Sequence, residues 1–541
     1  MRKFRLCQYP PEVAPAAEEK VPELDDEDLE AGPETRATIE EETESSIASK
    51  ASSWIRTKAW YTRVYAPTVT PPIVLPMAPT DDEKGTYLKT NRLGLHGLGI
   101  LAFLSLSAGM WLFVISSVAF YWFGAFVVFL QVYMIVSYLT SICGGEFDMA
   151  GHQKALDEHP IDALTAPEID ILLPVCMEPI EILENNWNHV EALDWPQDRI
   201  KVWVLDDGAS DAVKAMAAEE RFNFHYICRD NRPLLKKAGN LRYAFALTNA
   251  PFFAIFDADF CPRTDFLKEI MPEHMAHPDT CIVQTPQFFR TTSDQSWVEQ
   301  GAGAVQEVFY RVVQTNRNKW GASVCVGSNA VYCRESRLEV GGTAEIGFSE
   351  DVHTGFYAMC RGWKLRYMPI VLACDVCPDT PRAYFSQQMR WAMGSTTLVT
   401  NPEFWKSPLT RMQKICFLCG LLYYSAISLS IFMAPLPGML LVWIRPDYVR
   451  YYNLAFAVPS VLFGILVIRC WAKAEYGWNV NFVQQVQTYA YLAAIKKRLL
   501  RKGLTWINRS RYHLPNIATS SALVRYDAAG SFDSFQFVFS A

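Results

Sequence analysis

The chain has 541 residues, half of them hydrophobic, and a formal net charge of −7. That length holds several domains at ~150 residues each. The acidic balance, with no basic and aromatic-rich face in the sequence, excludes a phosphate-backbone-binding enzyme from the leading readings.

The chain opens on a stretch, residues 1–52, that is rich in Glu and Asp and poor in aromatics between Ala16 and Ser46. Such a composition buries too little surface to fold, so we expect a disordered acidic leader. No secretory signal peptide is expected at Met1, because the first long apolar run starts far downstream. From Leu93 to Gly145 there is no Asp, Glu, Lys or Arg. This predicts two membrane-crossing helices over 93–143, at ~20 residues each. Arg56, Lys58, Arg63, Lys84, Lys89 and Arg92 precede them. Positive flanks mark the cytosolic side, and a two-helix hairpin returns the chain to it.

Between Pro167 and about Thr400 short β-rich runs alternate with helical ones. "IDILLPV" precedes a helix over Pro179 to Leu193, "KVWVL" a helix from Ser210, and "FHYIC" a helix from Lys237. "FFAIF" precedes a helix from Arg263, and "CIVQTP" a long helix around Trp297 to Gln314. The alternation predicts a mainly parallel sheet covered on both faces, an α/β domain over 167–400. Ligands of such sheets bind beyond the carboxyl ends of the strands. Glu178, Asp206, Asp207, Asp257 and Asp259 stand at those ends, so they should converge on one crevice.

The motifs follow in chain order. Asp206-Asp207-Gly208 reads alone as a tight turn, and beside a second acidic strand end as a nucleotide contact. "KKAGNLRYA" places Lys237 at a helix start, where a cation and free N–H groups suit phosphate oxygens. Asp257-Ala-Asp259 puts two carboxylates at the end of an apolar strand. A divalent cation, Mg²⁺ or Mn²⁺, relieves their repulsion, since such ions take one or two carboxylates plus substrate phosphates. The simpler account is capping of the helix near Arg263, but capping needs only one Asp. "GFSEDVHTG" holds Glu350 and Asp351. Asp351 is placed to act as a base toward a hydroxyl, and the same acids also suit the first turn of a helix capped by Ser349. "SQQMRWAMG" holds Gln387, Arg390 and Trp391. Arg390 suits a diphosphate and Trp391 a sugar face, the alternative being an amphipathic surface helix.

Further on, Ile415 to Ile444 is uncharged and Val449 to Ile468 carries only Arg450. We expect an interfacial segment and two further spans over 401–472, the first broken or kinked at Pro435 and Pro437. Arg469, Lys473, Lys496, Lys497, Arg498, Arg501 and Lys502 follow, so 473–541 should be a basic, amphipathic cytosolic segment with a polar tail. The fourteen cysteines are scattered. The pairs Cys374/Cys377 and Cys416/Cys419 have no second pair at zinc-site spacing and read as structural thiols. His353 reads as a packed residue.

A strand-end DDG, then KAGN, DxD, an ED pair and QxxRW between membrane helices resembles the processive family 2 glycosyltransferases, cellulose synthases being the nearest type. "FDAD", "VQTPQFF", "VGSNAVY", "SEDVHT", "RGWKLRYMP" and "QQMRWAMG" appear in family order, and the likeness covers roughly Leu93 to Arg509. It implies a GT-A catalytic domain, Rossmann-like α/β, inserted between transmembrane helices, in a multi-pass protein of the plasma membrane or Golgi with that domain cytosolic. The implied partners are a UDP-sugar donor, a growing polysaccharide acceptor and the lipid bilayer, with no nucleic acid. The implied roles are Asp206, Asp207, Glu178 and Lys237 near the uridine, and Asp257 and Asp259 on UDP and the metal. Gly327 and Ser328 flank the acceptor, with Asp351 the general base and Glu350 beside it. Gln387, Arg390 and Trp391 hold the donor diphosphate and acceptor end.

Three departures qualify the likeness. "PVCMEP" offers Cys176 and Met177 where the family often has an aromatic. Phe260 follows the DxD where many members have His. Only four spans are expected, so a closed channel would need a partner subunit or a homo-oligomer. The module that binds a cyclic dinucleotide in bacterial relatives has no counterpart. The first expectation is an inverting β-glycosyltransferase making a glucan from UDP-glucose. A chitin- or hyaluronan-type synthase using UDP-N-acetylglucosamine, an enzyme adding one sugar to a lipid, and a truncated non-catalytic membrane subunit stay open.

Overall fold

The structure, a computed structural model, describes residues 75–232 and 234–500. The acidic leader and the polar tail fall outside the described residues. The uncharged run after Lys89 folds as α1 (Arg92–Ser116), a 3₁₀ turn over Val118–Phe123, and α2 (Gly124–Ile142). Leu101, Leu104 and Ile115 on α1 face outward, unpacked by protein. Arg92–Ser116, Val118–Ile142 and Arg411–Ile444 are each long and apolar enough to cross a membrane. The expected break in the third is slight: one helix ends at Met433 and the next runs over Leu436–Ile444. The fourth expected span is corrected. Tyr451–Leu454 is a 3₁₀ turn, and the helical stretch is only Val458–Trp471, about 21 Å long at 1.5 Å per residue. Arg450 and Asn453 favour the turn, and Pro459 in the first helical turn sets a late start.

After α2, helix α3 (Met149–Glu158) leads into a seven-stranded sheet. Its strands are β1 (Ile169–Val175), β2 (Ile200–Asp206), β3 (His225–Ile227), β4 (Phe252–Ile255), β6 (Thr280–Gln284), β8 (Ala330–Cys333) and β9 (Lys364–Tyr367), in the order β3-β2-β1-β4-β8-β6-β9. Three short strands, β5 (Cys261–Pro262), β7 (Phe288–Phe289) and β10 (Ala373–Asp375), form a second sheet, ordered β5-β10-β7. The crossover helices that matter below are α4 (Ile180–Glu191), α5 (Lys236–Leu247), α6 (Phe266–Ala276) and α7 (Trp297–Glu307).

The apolar runs form strands because both faces of the sheet are covered. Ile169, Ile171, Leu173, Val204 and Ala254 bury one face, while Leu172, Leu205, Phe253, Ile255 and Ile282 bury the other. The parallel half is as expected: Ile169 pairs with Ile200 and Phe252 on either side. The expectation of a mainly parallel sheet holds for every strand but one. β8 runs antiparallel to both β4 and β6, giving a mixed sheet of GT-A type. The functional consequence lies in the register. Ile255 pairs with Ala330, so β8 begins where β4 ends, and Gly327–Asn329 sit beside Asp257.

Three helices close the domain against the apolar segment. α8 (Glu350–Cys360) carries two acids in its first turn, and α9 (Pro381–Thr400) starts on Pro381 with Thr380 as its cap. Past the apolar helices, α10 (Asn479–Leu499) lies on α9, where Gln487 Nε2 (3.2 Å) and Tyr491 OH (2.9 Å) donate to Gln388 Oε1.

Candidate active site

β4 ends in Phe256-Asp257-Ala258-Asp259, and two neighbours fix that turn. The Asp257 N–H donates to Ser328 Oγ at 3.0 Å. From α4, the fully buried Asn186 donates its amide to the carbonyls of Asp257 and Phe260, bridging the turn's two ends. The capping account of the two Asp residues fails. Strand β5 intervenes, α6 starts at Phe266, and Asp265 occupies its cap position.

Lys237, in the first turn of α5, places Nζ on Asp257 Oδ1 and 3.2 Å from the Gly327 carbonyl. Burial alone would drive its proton off, but Asp257, Glu350 and Asp351 surround the ammonium and hold its pKa above the usual lysine value. Asp351 lies across the same gap. Burial, together with Glu350, pushes its pKa up to about 7, against the pull of Lys237. Ser349 does not cap α8, as had been expected. It takes a left-handed conformation and donates its Oγ to the Arg390 carbonyl at 3.4 Å. That contact seats the start of α8 on α9, where a Cβ on Gly394 would come within 2.1 Å of Ser349 Oγ. Arg390 is partly desolvated, which lowers its pKa, and the Glu350 carboxylate opposes that loss. Gln387 is buried and Trp391 half-buried on the same helix. His353 is buried, its Nε2 3.4 Å from the Gly394 carbonyl.

The crevice therefore joins Lys237, Asp257, Gly327, Ser328, Glu350, Asp351 and Arg390, from five separate segments. The acids nearer the sheet's β3 edge behave differently. Glu178, just past β1, accepts the Cys176 N–H. Asp206 is 0% exposed and accepts from Gly208 N (2.7 Å), Ser210 N (2.8 Å) and Tyr226 OH (2.9 Å). Asp206 thus builds the turn that presents Asp207 and Gly208. Both oxygens of Asp207 accept from Arg229, at 2.8 and 2.7 Å. Sequence reasoning missed Asn186 and Arg229, because only tertiary contacts reveal them.

Residues 252–468 match the glycosyl transferase family group 2. That segment is therefore similar to the catalytic domains of family 2 glycosyltransferases. The chain is similar to the UDP-forming cellulose synthase catalytic subunit of Pseudomonas fluorescens (strain SBW25), 32% identical over 263 residues that cover 48% of this chain and 35% of that protein. It is also similar to cellulose synthase 2 of Novacetimonas hansenii, 29% identical over 359 residues covering 64% of this chain and 22% of that protein. The chain spans well under half the length of these relatives. Among solved structures, the mannosyltransferase PcManGT from Pyrobaculum calidifontis, in complex with GDP-Man and Mn²⁺, is 17% identical with a TM-score of 0.48, over 69% of this chain and all of that one.

The donor set at Asp257 and Asp259 suits a hard divalent cation. The two side chains offer only carboxylate oxygens, and the next residue, Phe260, is buried and cannot ligate. Among the described residues no group of three or more His, Cys, Asp or Glu forms a closed metal site. A cation held here must complete its shell with substrate oxygens and water, the pattern of Mg²⁺ and Mn²⁺ sites. Cys374, Cys377 and Cys416 are buried free thiols.

Gly327 sets the distance between the loop before β8 and Asp351. Its φ is +77°, and a Cβ there would lie 3.0 Å from Asp351 Cβ and 3.1 Å from Oδ2. We expect Gly327→Ala to lower kcat by about tenfold to a hundredfold, because small misplacements of reacting groups cost that much. Steady-state kinetics with a binding isotherm for UDP checks this, and UDP affinity should stay within about threefold.

Proposed function

We propose that this glycosyltransferase transfers a sugar, most simply glucose from UDP-glucose, to the hydroxyl end of a growing β-glucan at the cytosolic rim of a membrane. The observation that carries the reading is the single charged cluster in which Asp351, Lys237 and Asp257 meet across Gly327. Asp351 takes the proton of the acceptor hydroxyl. The oxygen so freed forms a bond to the donor's anomeric carbon as the bond to the diphosphate breaks, inverting that centre, and UDP departs. A base with a pKa near neutrality holds its ionised form at working pH while remaining basic enough to accept a proton. Lys237 and Arg390 flank the position where negative charge grows on the leaving diphosphate, and such fixed cations lower the barrier most in a partly dehydrated site. When bound at Asp257 and Asp259, Mg²⁺ or Mn²⁺ neutralises further charge on the diphosphate. Trp391 gives the acceptor sugar a flat apolar face. Three apolar helices and the basic residues flanking them, Lys89 and Arg92 before the first, support a membrane placement with this domain on the cytosolic side.

Membranes containing the protein should release UDP from UDP-glucose, lose that activity in EDTA, and regain it with Mg²⁺ or Mn²⁺. Linkage and length analysis of the product, with UDP-N-acetylglucosamine supplied in parallel, identifies the donor. A protein that turns over no UDP-sugar under any metal would be a non-catalytic subunit.

A further inference from the structure

Arg229 stands in the loop after β3, seven residues before the first residue of α5, and is 6% exposed. Its guanidinium makes five hydrogen bonds. Nε and Nη2 donate to the two oxygens of Asp207. Nη1 donates to the Leu234 carbonyl at 2.8 Å, and Nη2 to those of Arg232 at 2.6 Å and Lys236 at 2.9 Å. Nε and both Nη2 hydrogens are engaged, Nη2 sharing its two among three acceptors, and Nη1 keeps one further N–H.

The carbonyls it gathers flank an unusual stretch of backbone. Leu235 and Lys236 are consecutive non-glycine residues with φ of 57° and 49°. Each such residue costs on the order of 1 kcal/mol and persists only where surrounding contacts hold it. The next residue is Lys237, whose ammonium reaches Asp257 and Gly327. The left-handed pair is what turns the start of α5 toward the crevice. Gly239 completes the arrangement: a Cβ there would lie 2.2 Å from the Leu234 carbonyl oxygen and 2.4 Å from Arg229 Nη1. The glycine of the "KKAGN" motif is therefore the socket into which the guanidinium fits. Asp207, the second acid of the strand-end pair, is its counter-ion.

We propose that Arg229 is a positioning residue for the donor site: with Asp207 as its anchor and Gly239 as its socket, it holds the left-handed turn that aims Lys237 at the donor diphosphate. This rests on the UDP-sugar reading above. The site so held is formed before the donor arrives, so the ordering cost is met on folding rather than on binding.

Two variants test it, with two readouts each. Arg229→Ala should raise the donor KM and the UDP dissociation constant about tenfold or more, the loss expected when hydrogen bonds from a charged group disappear. At saturating donor, kcat should fall as well, because the misaimed ammonium no longer offsets the charge growing on the leaving diphosphate. Ethylguanidinium added at millimolar concentration should restore donor KM, and propylammonium should not, because only the planar fork spans Asp207 and the carbonyls. Gly239→Ala should reproduce the KM defect without loss of helix, since alanine favours a helix interior over glycine. Hydrogen exchange at the first turn of α5, measured without UDP, should quicken in both variants. An unchanged donor KM in folded Gly239→Ala, or equal rescue by propylammonium, overturns the proposal. If the wild-type protein binds no UDP, the donor reading fails, and exchange at α5 still decides whether Arg229 holds the turn.

Discussion

Asp351→Asn is expected to lower kcat by a factor of about 10³ or more, as loss of a base that activates the attacking hydroxyl does, while UDP affinity stays within about twofold. The same substitution should stabilise the protein at neutral and alkaline pH. The sign follows from the raised pKa. Burial and Glu350 push Asp351 up to about 7 from an ordinary value of 3.8. The fold therefore favours the protonated carboxyl. That contribution is fully present below pH ~4 and is lost as pH rises through about 7, because the unfolded chain ionises first. Asparagine stays neutral throughout and loses nothing over that window. The melting temperatures of variant and wild type, measured without donor or metal, should coincide near pH 4. They should separate between pH 4 and 7, with the variant higher by the equivalent of ~3 kcal/mol at the upper end. A variant less stable than wild type at pH 8 would mean that Asp351 ionises comfortably where it sits, and one that keeps most of its kcat would remove Asp351 as the base. The wild-type rate should show an acid limb in kcat/KM near the same pH, since the proton must leave Asp351 before it can accept another.

The parallel half of the sheet was legible because "IDILLPV", "KVWVL" and "FFAIF" are apolar on both faces, and only a strand covered on both sides reads so. The antiparallel β8 was not. Its four residues sit inside "VGSNAVY", too short for periodicity to register, and the direction of a strand is a tertiary property. The third apolar segment was readable from missing charge, whereas the fourth was overestimated because hydropathy ignores a 3₁₀ turn around Asn453 and a proline at 459. Asp257, Asp259 and Asp351 stood out because carboxylates at element ends conflict with local burial. Asp206 carried the same mark, and its part in shaping the turn, through Gly208, Ser210 and Tyr226, was not legible. Arg229 and Asn186 left no signal. Asn186 acts 71 and 74 residues away along the chain, and Arg229 lies among other basic residues in "CRDNRPLLKK", with nothing local to mark it as the one turned inward.

Lys237→Met should damage both stability and rate. It keeps the length of the side chain and removes the cation that three carboxylates share, Asp257 in direct contact and Glu350 and Asp351 nearby. Removing one partner of a buried ion pair costs about 3–5 kcal/mol, because the other is left uncompensated. Lys237 and Asp257 retain 30% and 18% side-chain exposure, so solvent screening reduces the expected loss to ~1–2 kcal/mol. The pH dependence separates this from simple loss of packing. The lysine pKa is raised, so its contribution in the wild type is present below pH ~10 and lost only above it. Across pH 6–9 the variant lacks that contribution throughout. It also lacks the pull that lowers the Asp351 pKa. That pKa should therefore climb above about 7, and the variant should weaken further relative to wild type as pH rises past neutrality. The acid limb of kcat/KM should move the same way, to higher pH, and kcat/KM at pH 7.5 should fall about 10²- to 10³-fold through lost stabilisation of the leaving diphosphate. Lys237→Met combined with Asp257→Asn should recover much of the stability and none of the activity, since the double variant removes the uncompensated charge together with a proposed metal ligand. An acid limb that stays in place in Lys237→Met would show that the ammonium and Asp351 do not share a field, and the single-cluster site would have to be abandoned.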